Sequence, residues 1–183
     1  MSPTLNTVYP LRAARVHEAC GPAAVSFALR TAAQIGGDVI WLREQWLPER
    51  LNPAGFEGVE PDRLILAQTE DQTDTLAVAE EALRDGVAPL VVAQITRPIS
   101  LTAGRRLQLA AKAGGTTGVC LIPDGMGSNA VETRWHCAPV FDADDSTLQQ
   151  WDLIKNKSGT LGSWHVRWDA AARRVIVVSP AGE

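Results

Sequence analysis

Short apolar segments alternate with longer stretches of helical periodicity through the first two thirds of this 183-residue chain. The short segments have the length and composition of strands, and they are 15–20, 38–43, 63–68, 89–94 and 117–122. The longer stretches place small and apolar residues at helical spacing, and they are 23–35, 73–85 and 100–113. This alternation is typical of a sheet whose strands run parallel and are joined by helices.

The pattern changes after Pro123, where a polar, glycine-containing loop at 124–129 begins. Beyond it the helical periodicity is weak, and four further strands are predicted, at 134–141, 151–156, 163–168 and 174–178. Consecutive strands joined by short turns pair antiparallel. The sequence therefore predicts an α/β fold, with a mainly parallel sheet flanked by helices and a C-terminal antiparallel edge.

Length and composition place the chain among ordinary globular proteins. Hydrophobic residues make up 45% and charged residues 21%, which excludes a disordered chain. We expect a short N-terminal extension at 1–14, a single domain at 15–178 and a C-terminal tail at 179–183. The sequence has neither an apolar run of about 18 residues nor a secretory-signal pattern at its start, so we expect a cytoplasmic protein without a membrane segment.

Cysteine and histidine spacing predicts no metal site. The cysteines Cys20, Cys120 and Cys137 lie far apart and lack the C-x-x-C spacing of a zinc site or a redox pair. The three histidines show no ligand spacing to any carboxylate or cysteine cluster. We therefore expect reduced thiols and structural histidines, without a bound metal.

The charge distribution limits binding to nucleic acid. Residues 1–96 carry seven basic and thirteen acidic side chains, whereas residues 97–183 carry ten basic and eight acidic ones. Because nucleic-acid binding depends on neutralising phosphates, a net charge of -4 predicts that DNA binding is weak or absent. Any contact with DNA is expected from a local patch in the second half of the chain.

The turn after the first predicted strand stands where a phosphate-binding loop, G-x-x-x-x-G-K-[ST], would be expected. The first glycine is present as Gly21, but Ser26, Phe27 and Ala28 occupy the positions of the second glycine, the lysine and the hydroxyl. From this stretch alone, an ordinary strand–turn–helix is the simpler interpretation. If the loop is a degenerate phosphate site, the Phe27 ring is expected to fill the phosphate cavity, so no nucleotide cofactor is predicted.

Residues 15–169 resemble the bacterial recombinase RecA in the order and spacing of their segments. Glu44 lies where RecA has the glutamate that activates the attacking water, whereas Ala93 replaces the aspartate that supports magnesium. Lys155 and Lys157 resemble the lysines that reach the nucleotide of a neighbouring protomer. The resemblance implies a RecA-like core that has lost the ligands for ATP and magnesium, and hence a protein that is not an enzyme.

One branch of this superfamily matches more of the chain. The matching segments, in order, are 17–18, 80–86, 105–110, 133–135 and 164–168, and together they resemble the ImuA family. The resemblance implies a non-enzymatic accessory protein of SOS-induced error-prone translesion DNA synthesis. Its expected partner is an ImuB-type inactive Y-family polymerase relative, with RecA and an error-prone replicative-type polymerase as further candidates. Two alternatives stay open, a SulA-like cell-division inhibitor and a DNA-dependent ATPase with an atypical P-loop.

Two pairs of residues are candidates for contacts with a partner or with DNA. Arg105 and Arg106 lie on a predicted helix, where they form either a solvated face or a binding patch. Arg134 and Trp135 follow the polar loop that corresponds to a DNA-binding loop of RecA. An arginine beside an exposed aromatic ring would suit a protein contact or stacking on single-stranded DNA, whereas a buried Trp135 would be edge-strand packing.

Lys155 and Lys157 form a third candidate pair. They are two residues apart on a predicted strand, so their side chains are expected to project to the same side. They would then present a positive edge close to Trp151, which suits an acidic protein segment better than duplex DNA. The alternative is that both are ordinary solvated lysines.

Overall fold

The structure, a computed structural model, describes residues 4–180, so the last three residues of the predicted tail lie outside the described part. A mixed sheet of nine strands is flanked by three helices. The strands are β1 Val16–Cys20, β2 Val39–Glu44, β3 Leu64–Thr69, β4 Leu90–Gln94, β5 Thr117–Leu121, β6 Thr133–Pro139, β7 Gln149–Asn156, β8 Gly162–Asp169 and β9 Arg174–Pro180. The helices are α1 Ala24–Ile35, α2 Gln72–Asp85 and α3 Leu101–Gly114, with 3-10 turns at Leu5–Thr7, Pro53–Gly55 and Pro61–Arg63.

The sheet order is β3-β2-β4-β5-β1-β6-β7-β8-β9. The strands from β3 to β6 in this order pair parallel, and β7, β8 and β9 continue the sheet as an antiparallel meander. The predicted α/β class, the mainly parallel sheet and the antiparallel C-terminal edge are confirmed. Within residues 4–180, no helix is long and apolar enough to cross a membrane.

The helix boundaries follow from capping residues that are visible in the sequence. Asp71 and Ser100 precede α2 and α3, and each side chain accepts a hydrogen bond from the amide three residues further on, at 3.0 and 3.1 Å. All three helices are followed by glycine. These caps fix where each crossover returns to the sheet, and so they set the positions of the strand ends that form the candidate site.

Two hydrophobic layers cover the two faces of the sheet. One lies under α1 and the other under α2 and α3. Alternate residues of the buried strands contribute their side chains to one layer or to the other. The α1 layer contains an aromatic cluster, formed by Tyr9, Phe27, Trp135, Trp151 and Trp164. Its closest ring pairs are Phe27–Trp151, with centroids 4.7 Å apart, and Tyr9–Trp151, at 5.0 Å.

The segment before β1 contributes to this core. Leu5, Tyr9 and Leu11 are buried, and the Tyr9 ring contacts three rings of the aromatic cluster. Part of the predicted N-terminal extension therefore covers the core. The division into extension, domain and tail stays a prediction.

We expect Phe27→Ala to lower the free energy of unfolding by about 3–5 kcal/mol, because the ring is fully buried and its removal leaves a cavity between α1 and the sheet. Phe141→Ala is the matched control, since Phe141 is 94% exposed and its loss should change stability by less than about 0.5 kcal/mol. Urea unfolding of the three proteins makes the comparison. Equal stabilities for both variants would contradict the central role of the aromatic cluster.

Candidate functional site

The junction between β1 and α1 is closed by backbone hydrogen bonds. Only three residues separate the two elements, and the Ala23 N–H donates to the Cys137 carbonyl of β6 at 2.9 Å. Gly21 has a φ of 87°, and a Cβ there would lie 2.5 Å from the same carbonyl, so the turn needs glycine. A phosphate-binding loop holds its ligand with free backbone N–H groups. Here the amide of Ala23 is already bonded within the protein.

The remaining positions of the degenerate loop lie inside α1. The Ser26 hydroxyl accepts a hydrogen bond from the Gln149 side chain at 2.7 Å, and Phe27 and Ala28 are fully buried. The expectation that the Phe27 ring fills a phosphate cavity is wrong. The helix begins at Ala24, which turns Phe27 toward the sheet, and its ring packs in the aromatic cluster instead.

A crevice of about 380 Å³ opens at the carboxyl ends of β4 and β5, where open α/β sheets commonly bind ligands. Its described lining is Val25, Leu47, Gln94, Ile95, Thr96, Leu121, Ile122 and Pro123. None of these residues carries a charge. A nucleoside triphosphate needs cationic groups or a metal ion to balance its phosphates, and this lining offers neither a lysine nor an arginine.

Glu44 ends β2 near this crevice, but its carboxylate is already occupied. One carboxylate oxygen accepts a hydrogen bond from the Thr96 hydroxyl and the other from the Trp46 indole, each at 2.5 Å. Ala93, one residue before the end of β4, is buried between Leu42 of β2 and Cys120 of β5. The pair therefore offers a fixed, hydrogen-bonded carboxylate and an apolar side chain, without a ligand set for magnesium.

Arg134 serves an internal ion pair. Its guanidinium lies 2.6 Å from the fully buried carboxylate of Glu18, and it also donates to the Ser128 carbonyl at 2.9 Å. The Glu18 carboxylate accepts the Ser128 N–H at 2.8 Å as well. Burial raises the pKa of Glu18, while the Ser128 amide and the Arg134 charge lower it. The network anchors the polar loop before β6 to the sheet, so Arg134 is not a free surface cation.

Trp135 is fully buried in the aromatic cluster, and its indole donates to the Thr133 hydroxyl at 2.9 Å. It is therefore unavailable as an exposed contact or a stacking platform, and the alternative of a buried Trp135 applies, on an interior strand and not on an edge strand. The sequence left this open because a tryptophan on an alternating strand fits either a buried or an exposed face. Strand β6 pairs on both sides, with β1 and β7, and its alternate residues point into the core.

Lys155 and Lys157 lie on the face of the sheet opposite to the expected one. A register shift in the β6–β7 pairing places Leu153 opposite Trp135 but Lys155 opposite Arg134. Lys155 therefore projects away from the Trp151 side, and the proposed positive edge beside Trp151 is wrong. The ammonium groups of Lys155 and Lys157 donate to the carbonyls of Val131 and Ala130, at 2.8 and 2.7 Å, and so hold the loop before β6.

The outer side of α3 keeps a candidate binding surface. Arg105 and Arg106 are both exposed to solvent, and Arg106 forms an ion pair with Glu80 of α2 at 2.8 Å. Leu101, Arg105, Leu109 and Lys112 lie on one side of the helix by their spacing, and all four are exposed. We call these four residues the α3 face. Sequence reasoning found its arginine but missed its leucines, although Leu109 is 68% exposed and falls off the buried stripe.

His17 is buried in β1 and hydrogen-bonded through both ring nitrogens. Its Nε2 lies 2.9 Å from the Arg12 carbonyl, which only accepts, so this nitrogen carries the proton and Nδ1 accepts from the Thr133 hydroxyl at 2.7 Å. Burial lowers the pKa of His17 to about 4. The described residues contain no group of three or more histidine, cysteine or acidic side chains placed to hold a metal.

No family model matches the chain. Protein ImuA of Caulobacter vibrioides is 32% identical to this chain over 149 residues. The match holds for two strains, NA1000 / CB15N and ATCC 19089 / CIP 103742 / CB 15. The match covers 70% of this chain. The chain belongs to the ImuA family. It spans 59% of the length of these ImuA proteins.

A solved structure supports the architecture of this ImuA-family chain. SulA from Pseudomonas aeruginosa matches it with a TM-score of 0.50 and 20% sequence identity. The match covers 59% of this chain and 97% of that chain. At this identity the likeness concerns the fold alone, and it agrees with the α/β class described above.

We expect His17 to make this ImuA-family protein less stable as the pH falls. In the unfolded chain His17 takes up a proton near its ordinary pKa of about 6.5, whereas the folded protein resists protonation down to about pH 4. Folding stability is therefore lost as the pH falls through this window, by about 3 kcal/mol in total. The control is His17→Gln, whose amide lacks the titration. Urea unfolding at several pH values should show a shallower decline for the variant, and parallel declines would contradict the assignment.

Proposed function

We propose that this protein is an accessory factor of the error-prone response to DNA damage, and that it acts by binding other proteins, without nucleotide. Membership of the ImuA family supports the setting. The observation that supports action without nucleotide is the state of the β1–α1 turn, where a phosphate-binding loop would be expected. The turn is bonded to β6, the lysine position of such a loop holds a core phenylalanine, and the neighbouring crevice has an uncharged lining.

We infer further that the parallel half of the sheet is a degenerate RecA-type core. In a parallel sheet the carboxyl ends of all strands meet at one edge. Gly21 follows β1, Glu44 ends β2 and Ala93 lies near the end of β4, so the three positions share this edge. The positions of such a site are thus kept, while Phe27, Ala28 and Ala93 replace its phosphate and magnesium ligands. This combination supports the proposal that ATP use is lost and the scaffold is retained.

The proposed partners are proteins. An ImuB-type inactive Y-family polymerase relative is the first candidate, followed by RecA and an error-prone replicative-type polymerase. The α3 face offers a surface for one of them, because two exposed leucines stand beside Arg105 and Lys112. A small apolar patch with cations at its margin suits an acidic, partly apolar protein segment. With a net charge of -4, DNA binding is proposed to be weak or absent.

The alternative role as a SulA-like division inhibitor has a distinct cellular outcome. Overproduction of such an inhibitor blocks septation and gives filamentous cells, even without DNA damage. An accessory factor for damage-induced mutagenesis instead leaves division normal and changes the mutation frequency only after damage. Microscopy and mutation counts on one overproducing strain separate the two roles.

We expect calorimetric titration with MgATP to give no saturable binding up to millimolar concentration. The reason is that the described crevice lacks cations and the β1–α1 turn lacks a free phosphate cradle. A working P-loop ATPase measured in the same buffer is the positive control. Phe27→Lys with Ala28→Thr should not create a nucleotide site, because the new ammonium group would be buried among aromatic rings and should unfold the protein. Micromolar binding to the unmodified protein would refute the proposal.

We expect Arg105→Glu combined with Leu109→Ser to weaken binding to the ImuB-type partner at least tenfold, about 1.4 kcal/mol. Both side chains are exposed, so the fold should be retained. Arg174→Glu is the matched control, since Arg174 begins the far edge strand β9 and is also exposed. Surface plasmon resonance with immobilised partner gives the affinities. Equal losses for the double variant and the control would indicate a general charge effect and rule out the α3 face.

A further inference from the structure

The outer strand β3 exposes apolar side chains on both of its faces. Ile65 is 54% exposed and Leu66 is 44% exposed, although the two side chains point to opposite sides of the sheet. Among the described residues, β3 pairs only with β2. It contains no charged residue and no proline, the usual protections of a free edge strand. An exposed apolar edge of this kind is typical of a strand that a partner covers.

The backbone of β3 offers a ready edge for pairing. The Gln45 N–H donates to the Thr69 carbonyl at 2.9 Å, so the backbone groups of Thr69 turn toward β2. In a parallel ladder the two groups of one residue turn to the same side and neighbouring residues alternate. Leu64, Leu66 and Gln68 therefore turn their N–H and C=O groups outward. These groups form the edge to which an added strand would bond.

A groove continues this edge toward α2. It has a volume of about 550 Å³, and its apolar floor is formed by Ile40, Leu42, Ala67, Val78 and Ala82. Glu81, Arg84 and Asp85 form its charged rim. Ile65 lies two residues from Ala67, on the same face of the sheet, so its exposed side chain extends the apolar floor to the edge. The groove would receive side chains from one face of a strand added to β3.

The surroundings of β3 are strongly acidic. Residues 60–85 carry eight acidic and two basic side chains, so this short stretch is more negative than the whole chain, whose net charge is -4. Both of its cations are already in ion pairs, Arg63 with Asp38 and Arg84 with Glu80 and Glu81. A second copy docking edge to edge through β3 would bring two such surfaces together, which is unfavourable. Charge complementarity instead favours a basic occupant.

We propose that the outer edge of β3 binds an extended, basic segment of a partner protein by strand addition. The segment has apolar side chains at alternate positions and lysine or arginine between them. Main-chain hydrogen bonds to Leu64, Leu66 and Gln68 supply affinity, while the groove beside α2 and its acidic rim select the sequence. This inference deepens the proposed accessory function and rests on it, since it gives the protein a second binding surface opposite in charge to the α3 face.

The direct test uses a synthetic peptide that alternates valine with lysine or arginine. N-methylation along one edge prevents self-pairing, because only the other edge keeps its amides. The matched control is the same peptide methylated along both edges, which keeps charge and side chains but cannot pair. Fluorescence anisotropy with the full chain should give at least tenfold weaker binding for the control. Equal binding of both peptides would overturn strand addition.

Variants of the protein test the same surface from the other side. Leu66→Pro removes an outward N–H and should abolish binding without breaking a bond to β2, whereas Leu66→Val should bind as the unmodified protein does. Glu81→Lys with Asp85→Lys should weaken the basic peptide at least tenfold and strengthen a glutamate version of it. This charge exchange keeps the test decisive if the proline variant fails to fold. Unchanged peptide preference in the charge-exchange variant would overturn the proposal.

Two further readouts identify the occupant. On peptide binding, amide hydrogen exchange should slow at Leu66 and Gln68, and unaltered exchange there would contradict docking at β3. Sedimentation should give a monomer whose mass Leu66→Pro does not change, whereas a dimer that this variant dissociates would assign the edge to a second copy. The peptide tests need neither ATP nor an ImuB-type protein. Their failure would therefore remove the β3 surface and leave the proposed accessory function to its own tests.

Discussion

The aromatic cluster around Phe27 determines how the rest of this structure is arranged. Tyr9, Phe27, Trp135 and Trp151 come from the N-terminal segment, α1, β6 and β7, and their rings contact one another in tilted or edge-to-face pairs. Such pairs add about 0.5–1.5 kcal/mol each beyond the burial of their surface. The cluster therefore joins four separate parts of the chain and fixes α1 against the sheet.

This packing has a functional consequence at the carboxyl edge of the sheet. The core contacts of α1 and the bond from the β1–α1 turn to β6 order this edge from within the protein. Two of the charged groups that the sequence singled out serve internal contacts instead. Glu44 holds Thr96 and Trp46, and Arg134 holds Glu18. The two surfaces that we propose for partners lie on the outside of the molecule, where the α3 face is cationic and the surroundings of β3 are acidic.

The elements of the fold could be predicted from the sequence because each has a local signal. Caps at Asp71 and Ser100 and the alternation of strand and helix are short-range features, and the structure keeps them. The sequence alone also shows that Ser26, Phe27 and Ala28 differ from the glycine, lysine and hydroxyl residue of a phosphate-binding loop. The ImuA family assignment came from segment order and agrees with the 32% identity to protein ImuA.

The facing of individual side chains could not be predicted, because it depends on register and on neighbours distant in sequence. One register shift opposite Arg134 moved Lys155 to the other face of the sheet. Trp135 is buried because β1 and β7 flank its strand, which the local pattern does not reveal. The exposure of Ile65 and Leu66 likewise follows from the sheet order. A largely apolar strand such as β3 resembles a central strand in sequence, and only the sheet order shows that it lies at the edge.

We propose that this ImuA-family protein works as a protein-binding scaffold and that nucleotide has no part in its action. The most direct measurement is the dissociation constant of its complex with the ImuB-type partner, with and without millimolar MgATP. We predict a complex whose dissociation constant is the same within a factor of two in both conditions. A complex that forms only with MgATP, or one that MgATP strengthens tenfold or more, would contradict it.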